Sequence, residues 1–448
     1  MARLMHHART IDCRKDHQMT KMLHFAWFGA PGAHYWNLPS SRTYDWRKGN
    51  LYMDIARLCE DAWMDMVLFA DIPAIPTAYG ASNDHYVKHG FEVHLDPAPI
   101  LAMMGGITRH LGLGATLSTS LYPPFLLARM VGTLDHLTSG RTAWNVVTSA
   151  SAAAAQNYGQ DDLPEHDERY DIADEYLDLV RKLWDSWAPD AVLQDARRNV
   201  FADPAKVKPV NFAGKYFKSR GPLTMPALPQ RYPVIIMAGT SRRGQQFAVN
   251  NADMVIAHKN SVEDMRTYAT ALRKQLADAG RDPATCKVFF SIKPVMGDTL
   301  AMAQDKWARN YEMAAPEAGL SYLSATMGLD MSPYNLDQPL PPDLPVQGMI
   351  GKLLQYTQAK KDMTLREIAK HEAMHETFPI LGTPEQVADI IEQTAAEGGA
   401  DGFHFRAAVG DIDYLTEVTS KLMPVLRKRG LARTSYTGTT LRDNLFAF

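Results

Sequence analysis

Ser139-Gly140-Arg141-Thr142-Ala143-Trp144-Asn145-Val146-Val147-Thr148-Ser149 is the stretch on which the reading of the chain turns. A Ser-Gly turn opens it, a β-branched and aromatic run follows, and polar side chains gather at its C-terminal end, which reads as a strand delivering polar groups to a site. In parallel α/β proteins chemistry sits where strand C-termini open into loops. Asn145, Thr148 and Ser149 are therefore the first candidate site residues.

Working outward, the same strand-then-helix unit recurs. Met22 to Gly29 reads as a first strand, Leu51 to Trp63 as its helix, and Met66 to Asp71 as a second strand ending in a carboxylate. Leu111 to Thr119 is the third strand, with a helix from Phe125 to Leu137, and the opening stretch is the fourth. From Glu168 to Trp187 apolar residues recur on one face of a long helix. Tyr232 to Gly239, Asp253 to His258, Lys287 to Met296 and Gly402 to Arg406 supply the remaining strands. Thr383-Pro384-Glu385-Gln386 is a capping box with proline at the first helical position. Eight strands alternating with helices predict a (β/α)8 TIM barrel over residues 22–430. Insertions interrupt it near 72–97, 188–231 and 315–380, the last read as a lid. Residues 1–21 read as a disordered tail or a start called too early, with Met19 or Met22 as the working start, and 431–448 read as a C-terminal arm over a partner subunit or a frayed end.

The formal net charge of −3 and the absence of like-charge blocks give no footprint for nucleic acid or an anionic membrane. No apolar run reaches spanning length. Cys13, Cys59 and Cys286 are too few and scattered for a disulfide framework or a thiolate metal site, which points to a reducing, cytoplasmic setting and a small-molecule substrate.

Asp71, Thr116 to Thr119, Asn145, Thr148, Ser149 and the helix start Gly239-Thr240-Ser241 converge on one barrel face. Small residues and backbone N–H groups at a helix start suit a phosphate, and hydroxyls at neighbouring strand ends suit a flat polar ring. Together they are what FMN requires. Trp27, Phe28, Tyr35, Trp36 and Trp144 are candidates for a substrate pocket, beside the plainer reading as core. Arg141, at its strand's N-terminal end, is expected to pair with a barrel carboxylate. His371-Glu372-Ala373-Met374-His375 matches a zinc-protease pattern, but no third ligand follows closely, and a lid helix offering His371 or His375 as proton donor is preferred to a metal site.

Ser139 to Ser149, Ala128-Arg129 with Leu134-Asp135-His136-Leu137, His166 to Tyr170, Leu183 to Trp187, Gly221-Pro222-Leu223, Ala238 to Ser241 and Thr439 to Arg442 resemble the nitrilotriacetate and dibenzothiophene-sulfone monooxygenase branch of the bacterial-luciferase-like flavoproteins. The resemblance runs in consistent order from about Met22 to the C-terminus. It implies a TIM barrel, a homodimer or homotetramer, and reduced FMN delivered by a separate NAD(P)H-dependent flavin reductase. It also implies capture of O2 as a peroxyflavin, with one oxygen entering the substrate and the other leaving as water. Asp71 resembles the family's acidic residue beside the flavin ring, Thr116 to Thr119 and Thr148 with Ser149 its third- and fourth-strand tips, Tyr170 its tyrosine near the phosphate and Ser241 the serine of its phosphate-binding helix start. His166, Gly239 and Thr240 join them as candidate cofactor-binding residues. Met237 stands where this branch often has glutamine, and Ala150 where some relatives have histidine, so attention for an acid shifts to His34, His371 and His375. The expected activity is two-component oxygenation of a small aromatic, heteroaromatic or organosulfur compound, with no resident metal. The rivals are a flavin or deazaflavin oxidoreductase that does not use O2, a zinc hydrolase built on His371, Glu372 and His375, and a non-catalytic flavin-binding protein.

Overall fold

The computed structural model describes residues 21–448 except 34, 35, 37–44, 240, 347, 349, 360, 375–377, 379 and 407–411. Eight parallel strands close a barrel: β1 His24–Gly29, β2 Met66–Phe69, β3 Gly112–Ser118, β4 Thr142–Val147, β5 Val234–Met237, β6 Met254–Ala257, β7 Lys287–Ile292 and β8 Gly402–Arg406, with β8 pairing back onto β1. Each observed strand lies within its predicted stretch. The predicted seventh strand is shortened, because Val295–Met296 leaves the barrel to pair with Leu381–Gly382.

The outer layer is formed by α1 Gly49–Asp61, α2 Pro97–Gly105, α3 Pro124–Leu137, α4 His166–Trp184, α5 Arg242–Asn251, α6 Val262–Asp278 and α7 Pro384–Gly398, closed by helical turns over 412–428. Thr383 caps α7 in the predicted reciprocal box with Gln386.

Strand alternation sorts the side chains. Ala26, Met66, Leu68, Ala143, Val234, Ile236, Met254, Ile256 and Phe289 fill the lower barrel lumen, and the outward-facing residues join the core beneath the helices. The C-terminal segment completes the barrel floor. Leu441 and Leu445 insert into the lumen cluster, and the Phe448 ring stacks on His24 at 4.2 Å. Below them Asp65 accepts from Arg433 Nη2 at 2.5 Å and from Phe25 N at 2.7 Å, and contacts His24 Nδ1 at 2.8 Å. The expected arm is thus folded onto its own barrel.

Arg141 differs from expectation. Its guanidinium donates to the carbonyls of Gly105, Thr108, Leu111 and Thr138 at 2.7–3.0 Å, satisfying the C-terminal carbonyls of α2 and the turns beside it instead of a carboxylate.

The 188–231 insertion carries two small hairpins, Val192–Asp195 with Val200–Ala202 and Phe212–Ala213 with Lys218–Ser219. The 315–380 insertion has its own core of Leu320, Leu323, Met327, Leu353, Leu365 and Ile368. It reaches the barrel rim through Tyr322, whose hydroxyl accepts from Arg406 Nη2 at 2.8 Å, and through Met374, whose carbonyl accepts from Lys293 Nζ at 2.7 Å.

Candidate active site

The polar ends of β3 and β4 lie side by side on the wall of the upper lumen, because these neighbouring strands pair with Thr116 beside Asn145 and Ser118 beside Val147. Asn145 Nδ2 donates to Thr116 Oγ1 at 3.0 Å, Ser149 Oγ donates to Ser118 Oγ at 2.8 Å, and Ser120 Oγ donates to the Thr148 carbonyl at 2.9 Å. Thr119 Oγ1 caps the Val147 carbonyl at 3.4 Å. Ser149 takes a left-handed backbone, φ 56°, which a non-glycine residue adopts only when its surroundings hold it there. Asn145 Oδ1 is buried and has no hydrogen-bond partner among the described residues. A ligand N–H or O–H donor is what would satisfy it.

Asp71 continues this wall from the end of β2. Burial, then the neighbouring Asp96 charge, pushes its carboxyl up to about 7, with the Ile72 N–H opposing. Glu92, from the long loop after β2, is buried nearby with Oε2 at 3.3 Å from His94 Nε2. Burial and the Asp71 charge raise it to about 7 as well, against the pull of Arg406.

A second feature lies at the start of α5. Ser241 caps the helix, its Oγ accepting from Gly244 N at 3.0 Å. A Cβ on Gly244 would stand 2.7 Å from the Tyr170 hydroxyl and 3.0 Å from Ser241 Oγ, and one on Gly239 would stand 3.3 Å from the same hydroxyl. Two glycines thus let the Tyr170 phenol and the Ser241 hydroxyl close onto the helix start, gathering a phenol, a hydroxyl and backbone N–H groups at one point. That donor set fits a phosphate, and the wall of hydroxyls beside it fits a flat polar ring. His166 lies at the edge, its ring 5.3 Å from Tyr170 and its Nδ1 2.6 Å from Asp167 Oδ1. Arg243 turns away to Asp171 and Asp174.

The opposite half of the mouth, over β6 to β8, is also polar. His258, Ser291 and His404 meet there, and Arg406 stands above them. None of these four is among the residues singled out from sequence. The signal was present in β8, where alternation places Gly402, His404 and Arg406 on one face and Phe403 and Phe405 on the other. Two phenylalanines packed under helices send the polar residues inward.

Asp71, Thr116, Thr119, Asn145, Thr148 and Ser149 are brought together, as are Tyr170, Gly239 and Ser241. His34, Tyr35, Thr240 and His375 lie outside the described residues. Trp27 and Trp144, expected in the pocket, are fully buried on the outer side of the barrel. Trp144 donates to the Leu117 carbonyl at 2.9 Å and meets Trp184 of α4 edge-on, while Trp27 packs on Tyr414. Each is core packing, because its neighbour in the strand holds the inward position. Phe28 does face the lumen, its ring 5.1 Å from His404. Trp36 is exposed and donates to the His89 carbonyl at 3.1 Å. His371 is buried against Tyr311, and Glu372 is held by Lys352 and Tyr356, so its carboxylate ties together the 315–380 segment. No cluster of three metal-ligating side chains occurs among the described residues.

A closed parallel barrel with polar side chains gathered at its strand C-termini and at one helix start has the layout of a barrel enzyme whose site lies at that face. The luciferase-like monooxygenase family model matches residues 51–402, and the chain belongs to that family. It is 38% identical over 438 residues to a dibenzothiophene-sulfone monooxygenase of Rhodococcus erythropolis (strain XP), covering 95% of this chain and 96% of that one. It is 36% identical over 420 residues to a dimethyl-sulfide monooxygenase of Hyphomicrobium sulfonivorans, covering 92% and 86%. The crystal structure of DmoA from Hyphomicrobium sulfonivorans superposes with a TM-score of 0.88 at 33% identity, covering 96% of this chain and 93% of that one. The protein is accordingly an oxidoreductase of the FMN- and O2-dependent monooxygenase type. Among the described residues no helix is long and apolar enough to cross a membrane.

Proposed function

We propose that the chain is the oxygenase half of a two-component system, taking reduced FMN from a separate NAD(P)H-dependent reductase and oxygenating a small aromatic, heteroaromatic or organosulfur compound. The observation that carries the reading is the close approach of the Tyr170 and Ser241 hydroxyls to Gly239 and Gly244 at the start of α5, which gathers phosphate-type donors at one point. His166 at the rim, and Thr240 by its place in the sequence before Ser241, are assigned to this phosphate end. Asp71, Thr116, Thr119, Thr148 and Ser149 would line the ring, with Asn145 Oδ1 waiting for a donor. Bound reduced FMN supplies the two electrons with which O2 is split, one atom going to the substrate and the other to water.

The chain's own part is to orient, exclude water and hold protons. The hydroxyl chain Ser149–Ser118 and the Asn145–Thr116 pair fix donors and acceptors before any ligand arrives. Asp71, with its carboxyl near neutrality, holds or releases a proton at the working pH. The 315–380 insertion, tied to the rim by Arg406 and Lys293, covers one side of the mouth and limits water access. The relatives' names favour organosulfur and heteroaromatic substrates. A homodimer or homotetramer in the cytoplasm completes the proposal.

Anaerobic titration with reduced FMN, followed by mixing with oxygenated buffer, tests it. Saturable binding and reoxidation slower than that of free reduced FMN are expected. Binding of a deazaflavin in its place, with no oxygen uptake, would sink the reading.

A further inference from the structure

Three side chains on adjacent strands form one hydrogen-bonded chain inside the mouth. Ser291 Oγ on β7 lies 2.5 Å from His258 Nδ1 at the end of β6, and the same oxygen bonds His404 Nε2 on β8. A hydroxyl has one proton and two lone pairs; accepting an N–H from both rings would leave its own proton buried with no partner among the described residues, so it donates to one ring and accepts from the other. Only two arrangements satisfy both contacts, and they run in opposite directions.

The buried end selects between them. His404 Nδ1 has no hydrogen-bond partner among the described residues. A proton there would leave an N–H donor buried and unpaired, in the field of the Arg406 guanidinium. A lone pair at that position is favoured by the same cation. His404 therefore carries its proton on Nε2 and donates to Ser291 Oγ, and Ser291 donates in turn to His258 Nδ1. His258 is left with its proton on Nε2. It is also the exposed member of the three. The accessible edge of the ring faces the mouth while the rest lies deep among protein atoms, and that desolvation, then Arg406, His404, Lys352 and Lys259, holds its pKa well below the ordinary histidine value, so the ring is a neutral donor.

We infer that His258 Nε2–H reads the substrate by donating a hydrogen bond to an oxygen acceptor on it, a sulfonyl, carbonyl or carboxylate oxygen, with Ser291 and His404 as positioning residues that keep that nitrogen a donor. This rests on the reading that the flavin occupies the β2 to β5 half of the mouth, leaving the β6 to β8 half to substrate. Compounds without such an oxygen, plain alkanes and dialkyl sulfides, forgo this contact.

The test uses flavin-free full-length protein with 15N-labelled histidine, observed by long-range 1H–15N NMR during titration with dimethyl sulfone and, separately, dimethyl sulfide. The two probes share a skeleton and differ by two oxygens. Both rings are expected as neutral Nε2–H tautomers, and the sulfone moves the His258 Nε2–H signal saturably while the sulfide does not. His258→Leu, at the exposed end where folding does not depend on it, abolishes the response. Ser291→Ala lets His258 populate the other tautomer and weakens the sulfone by about 3- to 10-fold, the worth of one neutral hydrogen bond. His404→Gln, which keeps an N–H for Ser291, retains the response, whereas His404→Leu loses it. A proton found on His404 Nδ1, equal responses to the two probes, or no response to either overturns the inference. Reduced-FMN titration of the same sample separates the two claims. Flavin binding with a silent His258 removes this inference alone, and a sulfone response without flavin binding removes the functional reading alone.

Discussion

The hydroxyl of Tyr170 lies 2.7 Å from where a Cβ on Gly244 would stand. A residue in the first turn of α5 would ordinarily gain from alanine, by roughly 1 kcal/mol of helix propensity. Glycine there lets the Tyr170 hydroxyl close on the Ser241 cap instead. Gly244→Ala is expected to weaken reduced-FMN binding by about 10-fold while leaving thermal stability within about 1 kcal/mol, since the methyl offsets some of its own crowding. Anaerobic titration of wild type and variant side by side checks it. Unchanged affinity would mean this helix start does not hold the phosphate.

The barrel was legible from sequence because each strand is a short apolar run bounded by turn residues and followed by a helical period. Parity was not legible. β1 and β4 are buried on both faces, so nothing in Trp27-Phe28 or Trp144-Asn145 says which neighbour points inward. The aromatic residue turned outward in one member of each pair, and the expected pocket lost two tryptophans while keeping Phe28. In β8 the alternation of phenylalanine with His404 and Arg406 did carry the answer, and only the strand was taken from it. Arg141 was misread for another reason. Its partners are four main-chain carbonyls and the Thr108 hydroxyl, none of which is marked by a charged residue in the sequence. The tail from Leu441 is too short to show a helical period, so its place under the barrel had to come from the fold.

Glu92 gives the mouth a pH dependence with a definite sign. Its carboxyl, raised from 4.5 to about 7 by burial and by Asp71, keeps its proton in the folded state after the unfolded chain has released it. Stability therefore falls as pH rises from about 4.5 to about 7, and the full cost is present above that range. Glu92→Gln carries no charge to bury. It is expected to be more stable than wild type by about 1–3 kcal/mol at about pH 8, less than the bare shift implies because Asp71 titrates with it. At about pH 5 the gain vanishes or reverses, as the contact with His94 is lost. Urea unfolding at the two pH values decides it, and a gain equal at both would refute the assignment.

The barrel floor depends on the Asp65–Arg433 pair. Burial alone would raise the Asp65 carboxyl, but His24 and Arg433 outweigh it and hold the pKa below the ordinary value. That depressed group adds stability above the unfolded pKa, which is lost as pH falls through the folded one. Arg433 also donates to the Asn444 carbonyl at 2.8 Å, tying down the segment that inserts Leu441 and Leu445. Arg433→Met leaves a buried carboxylate short of its partner and is expected to cost about 3–5 kcal/mol at neutral pH. The penalty should shrink in acid, where Asp65 in the variant takes up a proton. A cost that is small, or constant with pH, would show that the tail and not the charge pair holds the floor.

Ser149 separates strain from function at the tip of β4. Its left-handed backbone, φ 56°, costs a non-glycine residue about 1–2 kcal/mol, and its Oγ donates to Ser118 at 2.8 Å. Ser149→Gly relieves the strain but raises the entropy of the unfolded chain by a similar amount, so stability is expected to stay within about 1 kcal/mol of wild type. Ser149→Ala keeps the strain and loses the hydrogen bond, so it should be the less stable of the two. If the hydroxyl belongs to the ring site, both variants lose affinity for reduced FMN alike, by about 5- to 10-fold, whatever their melting temperatures. Paired melting curves and anaerobic titrations distinguish the outcomes. A glycine variant that binds as tightly as wild type would assign Ser149 to holding the strand tip and move the ring contact to Thr148.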